Sequence, residues 1–307
     1  MLRLACVALV ALSGNALAGD PDPVPATQVS VTTRPSSKRA KWIAAGSIAA
    51  FHGAYLTWQY FAWYRKGSED FHYEEGPALS ANSYAGGADK FGHAWANYAM
   101  TRGTTEVLVA GGWPRLPSSA VAFGLTELAF LLIEVQDGMA PWGFDTDDLA
   151  ANVIGGVVGV ALSNVPALDG LLDVRVEYWP SPAYRKNVVN HGDLDGAQDY
   201  TGQSYLLALH LGALPGLAEH DYGYWSRFVD LAVGFEAKHY YPTPEVPTYE
   251  PRQTLYAGIA INMQGVLSAL FPDSLGRRIG RGLFEVYSLP YTTFRYAETS
   301  RHPAIGP

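Results

Sequence analysis

In the first half of the chain, long apolar stretches carry isolated polar residues at helical spacing, and four helices are predicted there. They cover Trp42 to Tyr64, Lys90 to Ala110, Val121 to Val135 and Leu149 to Leu162. Pro114 and Pro117 break the chain between the second and third, and Pro141-Trp142-Gly143 between the third and fourth. Trp42 to Tyr64 follows the basic cluster Lys38-Arg39-Lys41 and carries no formal charge, which makes it the best transmembrane candidate. The alternative is a buried core helix, because His52 and Gln59 interrupt it. Gly155, Gly156 and Gly159 give the fourth helix a thin face for close packing.

Further along, the period changes from helical to two. Val174 to Tyr178, Tyr205 to Leu211, Leu231 to Tyr241, Thr254 to Met263, Leu283 to Tyr287 and Thr292 to Tyr296 read as strands, separated by Pro- and Gly-rich spacers. For the apolar run Leu206 to Leu214 a helix stays open. The strands are fewer than the roughly eight of the smallest outer-membrane barrel. The expected fold class is therefore α+β: an N-terminal bundle of about four apolar helices, free-standing or membrane-embedded, then a small antiparallel β-rich region.

The N-terminus points to export. Met1-Leu2-Arg3 is followed by an apolar run, Leu4 to Leu12, and by Ala16-Leu17-Ala18, the small-x-small form cut by signal peptidase. Cys6, the only cysteine, lies inside that run without a lipoprotein cleavage pattern, so no lipidation is expected there and no thiol chemistry afterwards. The expected organisation is a signal peptide over 1–18, a Pro/Thr/Ser-rich disordered linker over 19–41, a helical domain over 42–166 and a β-rich region over 167–307. Apolar residues make up 48% of the 307 and charged residues only 16%, which suits contact with lipid. Membrane lipid is the expected partner, and the net charge of -8 argues against nucleic acid.

The candidate chemistry is a set of polar residues in those apolar helices: Asp89, Lys90 and His93, then Glu134, Gln136 and Asp137, then Asp145, Asp148 and Asn152. Buried charges cost several kcal/mol each unless paired, so their concentration argues for one interhelical polar cluster. Asp89 and His93 are four apart, as are Asp148 and Asn152, so each pair shares a helix face. The bland reading is helix capping, which suits Asp89, Asp145 and Asp148 but not Glu134 or Asn152. Phosphate loops, a G-x-S-x-G elbow, H-E-x-x-H and Cys/His zinc spacing are all missing from the sequence, and no cofactor or metal is expected.

The segments DKFGHAWANYAMTR, IEVQDG and GFDTDDLAANVIGG resemble the YfiM-like family of uncharacterised bacterial envelope proteins, often described as predicted periplasmic lipoproteins. More distantly they are similar to VanZ-like membrane proteins, with D-K-x-x-H, E-x-x-Q and D-x-x-D-x-x-x-N-x-x-G on successive helices. Here Glu134 and Gln136 are only two apart, a departure from that pattern. The resemblance implies a helical envelope protein, exposed to the periplasm, with a polar cluster from Asp89, Lys90, His93, Glu134, Asp148 and Asn152. It implies no activity. The favoured function is a membrane-associated structural or interaction role. The alternative is an enzyme or carrier acting on a lipid or cell-wall precursor through the Asp/His/Glu cluster.

Overall fold

The computed structural model describes residues 37–65, 67–74, 76–80, 83–191, 195–217, 221–240 and 250–301. The expected signal peptide, Cys6 and most of the expected linker lie outside them. The architecture is α+β, with helices first and a six-stranded mixed sheet after them.

Helix α1, Lys38–Gln59, starts on Ser37, whose Oγ accepts from Ala40 N at 3.1 Å, and runs on into a π turn at Tyr60–Tyr64. Its buried residues, Ala44, Ile48, His52, Tyr55 and Gln59, recur every three or four positions, as a helix lying along a core requires. Helix α2, Ala88–Ala110, is the centre of the molecule and is buried on nearly all sides from Trp95 to Glu106. Helix α3, Arg115–Asp137, follows Pro114, with Pro117 in the first turn where no N–H is needed. Helix α4, Thr146–Asn164, completes the bundle.

Among the described residues, one helix is long and apolar enough to cross a membrane, and it is α3 rather than Trp42 to Tyr64. The polar stripe of His52 and Gln59, buried against the bundle, separates α1 from a lipid-spanning composition. On α3, Leu128, Leu131, Leu132 and Val135 are exposed, as are Val153, Ile154 and Val157 on α4.

The strands are β1 Leu172–Tyr178, β2 Gln203–His210, β3 Val229–Lys238, β4 Arg252–Ile261, β5 Tyr287–Ser288 and β6 Thr293–Arg301, in the order β5-β1-β2-β3-β4-β6. All pairs are antiparallel except β1 with β5. The expected strand over Leu283 to Tyr287 is instead the end of a helix. Helix α5 covers Pro182–His191, α6 Met263–Leu270 and α7 Leu275–Val286, and only Tyr287–Ser288 extend into the sheet. Asn262 and Ser274 cap α6 and α7 through their side chains, a local signal that outweighs the aromatic strand pattern.

The sheet inverts the usual polarity of a half-buried strand. One face carries Leu207, Leu231, Val233, Leu255, Ile259 and Phe294, all exposed, and only part of it packs on α2, where Phe91 stacks on Phe235 with ring centroids 4.7 Å apart. The opposite face carries Arg175, Asp173, Asp230, Glu177 and His210, all buried. Arg175 bonds Asp173 and Asp230, and Gln264 of α6 donates to Asp173 at 2.6 Å. The core joins the two halves of the chain: Trp95 and Tyr98 of α2 pack with Val176, Tyr205 and Val286.

Candidate functional site: an acid–histidine cluster between three helices

Helix α2 is launched from a tight turn, Tyr84–Gly87, in which Ala85, Gly86 and Gly87 have φ of 51°, 60° and 77°. That turn puts Asp89 in the first helical turn. Asp89, His93 and Asn97 then follow at four-residue spacing on one face. On α4, Asp145 is the N-cap and accepts from Asp147 N at 2.7 Å. Asp148 lies in the first turn and Asn152 one turn further on. Gly155 lets the two helices meet, because a Cβ there would stand 1.9 Å from the carbonyl oxygen of Ala94. Glu134 enters from the last turn of α3.

Lys90 ties the carboxylates together. Its Nζ lies 3.4 Å from Asp89 Oδ2 and 2.9 Å from Asp148 Oδ1, and it pairs with Asp145 Oδ2. The other oxygens of the first two, Asp89 Oδ1 and Asp148 Oδ2, each stand 3.8 Å from His93 Nε2. The lysine thus grips one side of the carboxylate pair and the imidazole faces the other.

A short relay fixes the histidine ring. Asn97 Nδ2 donates to the His93 backbone carbonyl at 3.1 Å and to Asn152 Oδ1 at 2.6 Å. Asn152 Oδ1 therefore faces His93 Nδ1, 3.0 Å away, as an acceptor, and Nδ1 carries the proton. Glu134, 1% exposed, comes within 3.5 Å of the same nitrogen, yet neither of its oxygens has a hydrogen-bond partner.

The electrostatics follow from this crowding. Burial opposes the charge on His93, but Asp148, Asp89 and Glu134 outweigh it and raise its pKa to about 9. Burial also works against the Asp89 carboxylate, and there His93 and Lys90 prevail and hold its pKa below the usual range. Glu134 is pushed up to about 8, chiefly by burial, and Asp148 is raised by burial and by the charge of Asp89.

On its open side the cluster borders a cavity of about 110 Å³. Asp89, His93 and Asp148 line it together with aromatic rings, among them Tyr84, Tyr200, Trp63 and Trp142. Tyr200 donates its hydroxyl to Asp89 Oδ1 at 2.5 Å. Asp137 stands on the same cavity wall, where it accepts from Tyr64 at 2.5 Å, and burial raises its pKa to about 7.

Of the residues singled out in the sequence, Asp89, Lys90, His93, Glu134, Asp145, Asp148 and Asn152 come together. Asp137 lies beside them on the cavity. Gln136 does not join: its side chain donates back to Leu132 O at 2.9 Å on its own helix. Asn97 and Tyr200 were missed. Asn97 was within reach, being four residues beyond His93 on the same face, whereas Tyr200 arrives from a distant loop with no periodic signal.

Residues 75–164 match the family described as "Predicted periplasmic lipoprotein (DUF2279)", which is the part of the chain that holds the cluster. No curated protein and no solved structure matches the chain. The family match supports an exported protein associated with the cell envelope.

Proposed function

We propose that this is a membrane-associated envelope protein whose interhelical cluster is a binding and acid–base site for the polar head of a lipid or cell-wall precursor. The observation that carries the reading is the unsatisfied state of the cluster beside an aromatic-lined cavity. Glu134 is buried with neither oxygen hydrogen-bonded, its nearest cation the His93 ring 3.5 Å away, and Asn152 Nδ2 has no hydrogen-bond partner either. Such groups cost about 1–3 kcal/mol each, so a cluster that served only to lock helices together would satisfy them. In this reading His93 is the acid/base, Asp89 and Asp148 orient it, and the rings of the cavity receive the apolar part of the ligand. The apolar exposed surfaces of α3 and α4 favour association with a bilayer.

The likeness to YfiM-like and, further off, VanZ-like proteins extends to this site in our reading, with residues 42–166 as the unit that carries it and 167–307 as its β-rich companion. A purely structural role has one observation in its favour, the grip of Lys90 on three carboxylates. Purification in mild detergent, followed by lipid analysis of wild type and His93→Gln, separates the two. A head group retained by wild type and lost from His93→Gln is the expected result. A lipid-free wild-type protein would leave the helix lock as its function.

A further inference from the structure

We propose that Asp89, His93 and Asp148 hold a divalent transition-metal ion of the zinc or manganese class, through one imidazole nitrogen and two carboxylate oxygens. The inference rests on the reading of the cluster as a ligand site and names what completes it; with the ion bound, His93 is a ligand and the acid–base role falls to Glu134 beside it.

One donor atom from each of the three residues lies within 4.8 Å of the others, and His93 Nε2 is 3.8 Å from both carboxylate oxygens. A cation about 2.0–2.2 Å from each ligand fits among donors so spaced. The outer shell is arranged as a metal site needs it. Ligating imidazoles donate their second ring N–H to a fixed acceptor. Here the chain from the His93 carbonyl through Asn97 to Asn152 Oδ1 keeps a proton on Nδ1 and turns Nε2, the nitrogen that would give up its proton to the ion, toward the two carboxylates. Lys90 does not compete for the position. It takes Asp89 Oδ2 and Asp148 Oδ1, the oxygens turned away from His93, and so holds both carboxylates in the orientation that presents the other oxygen.

Charge supplies an independent argument. Asp89, Asp145 and Asp148 gather around one lysine and one histidine, and the 1% exposed Glu134 lies 3.5 Å from the His93 ring without a hydrogen bond. A dication between His93 and two of these aspartates supplies positive charge where three carboxylates share one lysine. The donor chemistry selects the class. Two oxygens and one imidazole nitrogen without sulfur suit zinc, manganese or ferrous iron, and are too few for calcium, which takes about 6–8 oxygens. Three protein ligands beside a cavity leave a coordination position for water or for an oxygen of a bound head group, the arrangement of catalytic rather than structural zinc.

The test is titration of the chelator-stripped, detergent-purified full chain with Zn²⁺, Mn²⁺ and Mg²⁺ by calorimetry, with Co²⁺ absorption as a reporter of nitrogen and carboxylate ligation. One ion per chain is expected, with Zn²⁺ or Mn²⁺ at least tenfold tighter than Mg²⁺. Asp148→Asn and His93→Gln are expected to weaken it at least tenfold, and Asn152→Ala roughly tenfold through the ring orientation. Gln136→Ala, outside the cluster, is expected to bind as wild type does. If wild type binds no ion, or if His93→Gln and Asp148→Asn bind like wild type, the proposal falls. Should either variant fail to fold, the wild-type titration and Co²⁺ spectrum decide alone. Lipid retention measured in chelator separates the two readings: head-group binding that survives without metal keeps the ligand site and removes the ion.

Discussion

Gly155 and Ala94 touch backbone to backbone: a Cβ on Gly155 would lie 1.9 Å from the Ala94 carbonyl oxygen, and no flexible side chain there can yield. This contact sets the distance between α2 and α4, and therefore the distance between His93 on one and Asn152 on the other. Gly155→Ala is expected to destabilise the protein by about 1–3 kcal/mol, as overpacking does. Chemical denaturation measures the loss. A variant as stable as wild type would mean that the helices can separate freely.

The carboxylates of α2 and α4 share Lys90, so their contributions are coupled. Asp89→Asn and Asp148→Asn combined are expected to deviate from the sum of the single effects by about 0.5–3 kcal/mol. A double-mutant cycle on unfolding free energy reads this. Additive losses would describe two separate helix caps.

His210 offers a pH dependence outside the cluster. Burial disfavours its charge, but Asp173 at 3.1 Å and Asp230 at 2.7 Å prevail and raise its pKa to about 9. Arg175 bonds the same two carboxylates and limits the effect. Because the folded value lies above the unfolded one, about 6.5, the contribution is fully present below the unfolded value. It is lost as pH rises through about 9. The amount is of the order of 3 kcal/mol. Denaturation midpoints between those two pH values are expected to fall in wild type and to stay flatter in His210→Gln.

The exposed apolar rows on α3, α4 and the outer sheet face predict that the protein sediments with membranes and resists high-salt and alkaline washing. Fractionation of the expressed full chain tests this. Recovery in the soluble fraction would show that those rows are covered by protein instead.

The bundle was legible because helical spacing alone assigns faces: Asp89, His93, Asp148 and Asn152 fall where the four-residue repeat puts them. Asp145 shows why capping and clustering were hard to separate, since it caps α4 with one oxygen and pairs with Lys90 through the other. The sheet was legible as strands but not as a surface. Alternation in Val174 to Tyr178 identifies two faces, and nothing in the alternation says that Arg175 and Glu177 are on the buried one. That depends on α6, α7 and the distant partners Asp230 and Arg295, which lie far along the chain. Helix α7 is strongly amphipathic over Leu275–Val286, and it was misread because its last turn, Leu283 to Tyr287, taken by itself reads as apolar and aromatic residues around a single polar Glu285.

The order in which an exported chain emerges gives the central helix a particular history. Arg102 is 2% exposed in the finished protein and bonds Glu285, 183 residues further on, and Trp95 Nε1 donates to Val286 O, 191 residues further on. During translocation the helical bundle is therefore delivered with an indole N–H that has not met its acceptor, and with an arginine that has only the nearer of its two carboxylates, Asp169, 67 residues further on. Burying this face of α2 at that stage would leave the indole N–H unbonded and Arg102 paired only with the half-exposed Asp169, so the face stays open to water, to a periplasmic chaperone or to the bilayer surface until Glu285 and Val286 have crossed. Completion of the core, and with it the enclosure of the acid–histidine cluster, is a late event tied to release of the C-terminal segment.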